Sequence, residues 1–179
     1  MSSDLTEKTL GVKRVFTGRA VKVDVAEIRM PSGRLTTREI LRHRGASVIL
    51  GELPDGRFVL VRQYRRAVEQ TLLEAVAGCR EEGESFETCA RREMEEESGY
   101  KVAELVKLGV SLPSPGYSEE EHHLYYAKLM PEQNAQRPDF DENLEPVYMT
   151  PEQIDAAIAE GSLIDGKTLI AWMMWRNRS

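Results

Sequence analysis

Two cysteines, Cys79 and Cys89, are all that 179 residues contain. Two thiols make no disulfide framework, and their spacing is not that of metal ligands, so a cytoplasmic protein with reduced thiols is the expectation. Positive charge is also short. Lys and Arg number 24 against 30 Asp and Glu, a net charge of -6. With an isoelectric point near 5.3, a broad basic surface for nucleic acid is not expected. No apolar run approaches the roughly 20 residues needed to span a bilayer. The stretch Met1 to Leu10 is polar and lacks the apolar core of an export signal. Internal repeats, low-complexity tracts and long linkers are missing as well. What remains is an ordinary globular composition, 41% hydrophobic and 30% charged. It suits one domain with a small appended element, and is long enough to bury a real core.

The first third reads as strands. Val21, Val23 and Val25 alternate with polar neighbours, Pro31-Ser32-Gly33 signals a turn, and Leu35 to Leu41 resumes. Ala46 to Leu50 and Phe58 to Val61, joined by Pro54-Asp55-Gly56, read as a hairpin. Leu72 to Ala77 is a further short apolar stretch that ends at Gly78. Ser85 to Ser98 is the first convincing helix: Ser85 can cap it, Glu87 sits where the dipole favours an anion, and Gly99 suits the residue past its end. Strands are expected at Leu105 to Val110 and His123 to Leu129, on either side of the loop Pro113-Ser114-Pro115-Gly116. Glu132 to Asn143 is polar and reads as a mobile loop. Thr150 and Pro151 open a helix that stops at Gly161, and Thr168 to Trp175 forms the closing helix. Strands first, helices interspersed and no regular βαβ alternation argue for an α+β domain with a mixed sheet.

The run Arg92-Glu93-Met94-Glu95-Glu96-Glu97 is the informative feature. At about 100° per residue, Glu93 and Glu97 lie one turn apart on one face with Glu96 beside them. Followed backward, that stripe holds Ala90, Cys89 and Phe86, so the apolar face of the helix runs straight into the two carboxylates. A solvated acidic face accounts for Glu87 and Glu95 on the opposite side, but not for acids at inward positions. Like charges at this spacing repel, far more so if desolvated, and Arg92 alone is too little to compensate. Divalent cations answer the problem. Carboxylate oxygens with water and phosphate suit Mg²⁺, or Mn²⁺ as a substitute, and several converging carboxylates have room for two or three ions. Such ions also suit an acidic protein that handles a polyanionic phosphate.

From Gly78 to Tyr100 the sequence resembles the Nudix box, G-x5-E-x7-R-E-U-x-E-E-x-G-U with U a bulky apolar residue. Gly78, Glu84, Arg92, Glu93, Met94, Glu96, Glu97 and Gly99 fall in register, and Tyr100 replaces the usual aliphatic. The resemblance implies a Nudix fold, an α/β/α sandwich around a mixed β-sheet, with the box forming a loop-helix-loop. It matches Glu93 and Glu97 to the principal metal ligands and Glu96 to a residue that binds metal or helps activate water. The carbonyl just before the box glycine, that of Ala77, completes a metal site. Glu84 and Arg92 match a pair that fastens the loop to the helix.

Beyond the box, the chain resembles the branch that hydrolyses ADP-ribose and related nucleoside-diphosphate sugars. Val61-Arg62-Gln63-Tyr64-Arg65 is similar to the strand end before the box, where the arginine matching Arg65 contacts substrate. Pro113 to Glu120 resembles the proline-glycine loop of these enzymes, with Gly116 and Tyr117 as substrate-contacting candidates. Asp165-Gly166-Lys167-Thr168 resembles the segment that opens their last helix. Asp141-Glu142-Asn143-Leu144-Glu145 resembles their acidic loop, and its register favours Glu142 as the residue that orders or deprotonates water, with Glu96, Asp141 and Glu145 as alternatives. His122 and His123, adjacent in a strand, face opposite ways and neither is expected to be essential. Mg²⁺-dependent cleavage of ADP-ribose to AMP and ribose 5-phosphate is the first expectation. GDP-mannose is close behind, because Leu73 to Gly78 and Asp165 to Thr168 are compatible with that sub-branch too. A triphosphate or RNA pyrophosphohydrolase, or a non-catalytic ADP-ribose sensor, are the lesser alternatives. The partner expected is a small nucleotide sugar, with no nucleic acid and no membrane. Residues 1–44 are expected to form a strand element that dimerises and helps build the substrate site, and 45–179 the hydrolase domain, the whole working as a homodimer.

Overall fold

The computed structural model describes residues 4–136 and 143–178. The chain divides into two compact units, Met1–Arg44 with Leu112–Glu121, and Gly45–Ser111 with His122–Ser179. In the first, strands β1 (Lys8–Thr17), β2 (Lys22–Arg29) and β3 (Leu35–Arg42) form an antiparallel sheet in that order. The segment 112–121 is held to the end of β3. Leu41 donates its N–H to the Tyr117 carbonyl (2.7 Å), and Glu119 N–H donates to the Leu41 carbonyl (3.1 Å). Glu119 also accepts from Arg42 Nη1 (2.8 Å), and Arg42 Nε donates to the Asp24 carboxylate (2.8 Å), which Arg14 engages from β1.

The second unit is built on a six-stranded sheet. Its elements are β4 (Ala46–Glu52), β5 (Phe58–Arg65), β6 (Gln70–Cys79), α1 (Phe86–Ser98), β7 (Tyr100–Ser111), β8 (His122–Gln133), β9 (Leu144–Met149), α2 (Pro151–Ala159) and α3 (Gly166–Arg176). The strand order is β7-β8-β4-β6-β5-β9, with β4 and β8 parallel and the other pairs antiparallel, so the sheet is mixed. Alternation along β4 decides the layers. Val48 and Leu50 point to the face covered by Ile154 of α2 and by Ala171 and Trp172 of α3. Ile49 points to the other, where it meets Ala90 and Met94 of α1. The result is the expected α/β/α sandwich. Phe58 packs edge-on against Trp172 and Trp175, with ring centroids 5.2 and 4.7 Å away.

Three local expectations need correction. The hairpin of β4 and β5 pairs only at Gly51↔Val59 and Glu52↔Phe58; beyond the turn the strands part and β6 lies between them. β8 runs on to Gln133, so the polar stretch expected as a loop begins inside a strand; residues 137–142 of it lie outside the described residues. β9 was not expected at all. It is an edge strand, the place where Pro146, which has no N–H to give to a ladder, is tolerated. No helix among the described residues is long and apolar enough to cross a membrane.

Candidate active site

Local chemistry sets α1 in place. Ser85 Oγ accepts from Thr88 N–H (3.1 Å), and Gly99, with φ 78°, closes the other end by donating to the Glu95 carbonyl (2.9 Å). Cys89, Ala90 and Met94 are fully buried, and the same stripe buries Glu93 and Glu97 to 8% and 1% exposure. Glu87, Thr88 and Arg91 face solvent. The helix therefore drives two carboxylates into the layer between itself and the sheet. On the sheet side Gly78, near the end of β6, makes this possible. A Cβ built there would overlap the Glu93 carboxylate, so only glycine leaves the acid its position. The Gly78 carbonyl accepts from Cys89 Sγ (3.5 Å), whose thiol burial pushes up in pKa.

Arg92 organises the acids. Its Nε and Nη2 bond to the two oxygens of Glu84 (2.9 and 3.0 Å), and Nη2 also reaches the Cys79 carbonyl (3.3 Å). Nη1 donates to Glu93 (2.7 Å) and Glu96 (2.9 Å). One guanidinium thus ties the loop before α1 to the helix and touches three carboxylates. The bond from Arg92 holds Glu84 below the usual carboxylate range, and Glu84 in turn raises Arg92. With Glu93 and Glu96 drawn onto Arg92, no three Asp, Glu, His or Cys side chains among the described residues converge as a metal cluster. The donor set itself suits a hard cation: three carboxylates within two helical turns, two of them buried, with that of Glu93 set against Gly78 of β6.

Arg65, at the end of β5, is less free than the sequence suggested. Nε and Nη2 make a two-pronged bond to Glu74 (2.7 and 2.6 Å), a carboxylate with no exposure at all. Lys167, in the first turn of α3, bonds the same carboxylate and also Asp165 (3.0 Å). Burial works to raise the Glu74 pKa, but Arg65 and Lys167 outweigh it and leave it lowered. The bonds to Glu74, and to a lesser extent the charges of Asp165 and Glu97, raise the Arg65 pKa. Sequence reasoning attached no role to Glu74 or Lys167. The available signal was a charged residue inside the apolar stretch Leu72 to Ala77.

The other candidates are dispersed. Gly116 and Tyr117 belong to the first unit, where the Tyr117 ring is 60% exposed beside a groove of about 350 Å³ lined by Arg38, Arg42 and Glu119. Glu142 and Asp141 lie outside the described residues. Glu145 is exposed on β9, 3.9 Å from Arg62. His122 is buried, and His123 stacks on Phe86 with ring centroids 3.5 Å apart.

A family model described as NUDIX domain matches residues 41–172. The chain is 37% identical over 166 residues to a methanol dehydrogenase activator of Bacillus methanolicus, covering 92% of this chain and 90% of that one. It is 33% identical over 168 residues to an ADP-ribose pyrophosphatase of Bacillus subtilis (strain 168), covering 93% and 91%. A GDP-mannose pyrophosphatase of Yersinia enterocolitica is 34% identical over 138 residues, covering 72% and 71%. The crystal structure of an ADP compounds hydrolase superposes with a TM-score of 0.84 over 98% of this chain and 95% of its own, at 21% identity, which supports the fold. Hydrolases of this family generally work with a divalent cation. With every acid of the box in register and the sandwich fold that presents them, the chain belongs to the NUDIX family and is a Nudix hydrolase.

Proposed function

We propose that this protein hydrolyses the pyrophosphate bond of a nucleoside-diphosphate sugar, with ADP-ribose, cleaved to AMP and ribose 5-phosphate, as the first substrate. One observation carries the reading: Glu93 and Glu97 are buried on the sheet-facing side of α1, where Gly78 leaves room for the Glu93 carboxylate. An acid does not occupy such a place for solubility. The ADP-ribose and GDP-mannose pyrophosphatases among its relatives support the substrate class, and GDP-mannose is the second candidate.

Glu93, Glu97 and the Ala77 carbonyl are assigned to a Mg²⁺ ion, with Mn²⁺ as a substitute. When bound, the cation supplies charge that offsets the phosphates and acidifies a water. Glu93 and Glu96 each accept from Arg92 Nη1 through a single oxygen, which does not bar a carboxylate from binding a cation as well, and Arg92 is tethered by its double bond to Glu84. Arg65 neutralises phosphate charge. Gly116 and Tyr117 are assigned to substrate binding, in keeping with the exposed ring. As water adds to phosphorus the bridging P–O bond breaks, the second phosphate leaves, and the proton of the water passes to a carboxylate; Glu142 is assigned to that step, with Glu96, Asp141 and Glu145 as alternatives. We place the enzyme in the cytoplasm, as a homodimer using the N-terminal strands. β1 offers an open edge with Val12, Val15 and Phe16 exposed.

The test is Glu97→Gln assayed with ADP-ribose and GDP-mannose in excess Mg²⁺. Product release is expected to fall by roughly a hundredfold or more. A variant within a few-fold of wild type removes the metal assignment. Comparing pH–rate profiles of Glu96→Gln and Glu142→Gln identifies the base, whose loss abolishes the acid limb.

A further inference from the structure

The contacts around Glu74 tie together three distant parts of the second unit. Glu74 Oε1 accepts from Arg65 Nε, while Oε2 accepts from both Arg65 Nη2 and Lys167 Nζ. Lys167 is held in turn by Asp165, the N-cap of α3, whose other oxygen accepts from the Thr168 N–H and hydroxyl (3.0 and 2.5 Å). Thr168 Oγ1 completes the circuit by accepting from Ala75 N–H (2.7 Å) in the interior. The start of α3 is therefore bolted to β6 two residues before Ala77.

A surface arginine needs no such support. Arg65 paired with Glu74 alone would have its guanidinium free to pivot with the acid, and its charge fully cancelled. Lys167 changes both. It adds a third hydrogen bond to the Glu74 carboxylate and so restrains it, and the two-pronged bond passes that restraint on to the guanidinium. It also shares the negative charge of Glu74, so that Arg65 keeps positive charge to present. Nε and Nη2 are spent on Glu74, and Nη1 makes no hydrogen bond among the described residues. We propose that Lys167 and Glu74 are positioning residues for the pyrophosphate: through the shared carboxylate they aim Arg65 Nη1 at the substrate phosphates. The inference rests on the reading of Arg65 as a phosphate contact.

The experiment compares Lys167→Met, Lys167→Gln and Lys167→Arg in the full chain with Mg²⁺, and measures binding of the non-hydrolysable α,β-methylene analogue of ADP-ribose by calorimetry. KM and the dissociation constant should rise roughly tenfold in the Met and Gln variants, the low end for losing a group that orients a ligand contact. The turnover number should stay within about threefold, and the Arg variant, which keeps the charge, should stay within about twofold of wild type in both. In an Arg65→Gln background the Lys167 substitutions should add nothing. Two variants of different shape guard against one failing to fold. Unchanged KM and affinity in a folded Met or Gln variant overturn the proposal. So does a full-sized Lys167 effect when Arg65 is already gone, because the lysine then acts by some other route. A wild-type protein that turns over neither ADP-ribose nor GDP-mannose overturns the proposed function and this inference together, whereas an active wild type with indifferent Lys167 variants overturns the inference alone.

Discussion

Gly78→Ala is a one-carbon change with a large expected effect. Gly78 does not need a left-handed backbone, so the cost comes from space alone. The added methyl would overlap the Glu93 carboxylate, and the flexible partner that must yield is the acid itself. Glu93 then gives up its bond from Arg92 Nη1 at 2.7 Å, and a charge-assisted bond of this kind is worth about 1.5–3 kcal/mol. Crowding in a packed layer adds about 1–3 kcal/mol. Arg92 is a quarter exposed, and solvent screening trims the first figure to about 1–2 kcal/mol, so the total is about 2–5 kcal/mol. For a chain of this length that is roughly 4–20 °C in melting temperature. Activity should suffer as well, because the displaced group is an assigned cation ligand; a loss of about a hundredfold corresponds to about 2.7 kcal/mol of barrier. Thermal melts and product release in excess Mg²⁺ measure the two. The sharper measurement is the double variant Gly78→Ala with Glu93→Ala. Removing the acid removes the collision, so the pair should melt higher than the sum of the single effects predicts, by about 1–3 kcal/mol of coupling. Strictly additive melts, or a single variant with wild-type stability and turnover, would refute the packing of Glu93 against Gly78.

Acid should unfold the protein through its paired carboxylates. Asp24 is lowered to about 2 by Arg14 and then Arg42, Glu84 is lowered by Arg92, and Glu74 is lowered despite burial. Groups depressed in the folded state stabilise it above their unfolded values, near 4, and lose that contribution as pH falls through the folded values. Melting temperature should hold from pH 7 to about 5 and drop toward pH 2, more shallowly in Asp24→Asn; a rise between pH 5 and 3 contradicts the assignment. Thr168→Val should leave the Ala75 N–H unbonded in the interior and cost about 1–3 kcal/mol, while Thr168→Ser stays near wild type; equal melts for the two variants exclude the hydroxyl's role. Light scattering at micromolar concentration should give twice the chain mass, and a clean monomer removes the dimer.

Much of α1 was legible because its information is local. Ser85, Gly99 and the spacing of Ala90, Glu93, Met94 and Glu97 specify where the helix starts, where it stops and which side is buried, all within a few turns of chain. The same holds for Thr150 and Pro151, which open α2, where the structure adds a reciprocal bond from Gln153. β9 escaped because Leu144 to Met149 is short, carries Pro146 and Glu145, and becomes a strand only by pairing with β5. The hairpin misled for a related reason: two apolar runs and a turn predict a neighbour relation, but β6 competes for the same edge and takes it beyond the first pairs.

The sequence by itself determined the chemistry offered, a periodic helix whose inward face ends in carboxylates, because a 3.6-residue repeat converts spacing into direction without reference to the rest of the chain. Only the tertiary structure decided what those groups meet. Glu74 acquires Lys167 from 93 residues away, and Glu93 finds its space at Gly78 because β6 lies beneath α1. Contacts of that kind depend on which strand wins an edge and which helix covers it, and such competition between distant segments leaves no period in the sequence to read.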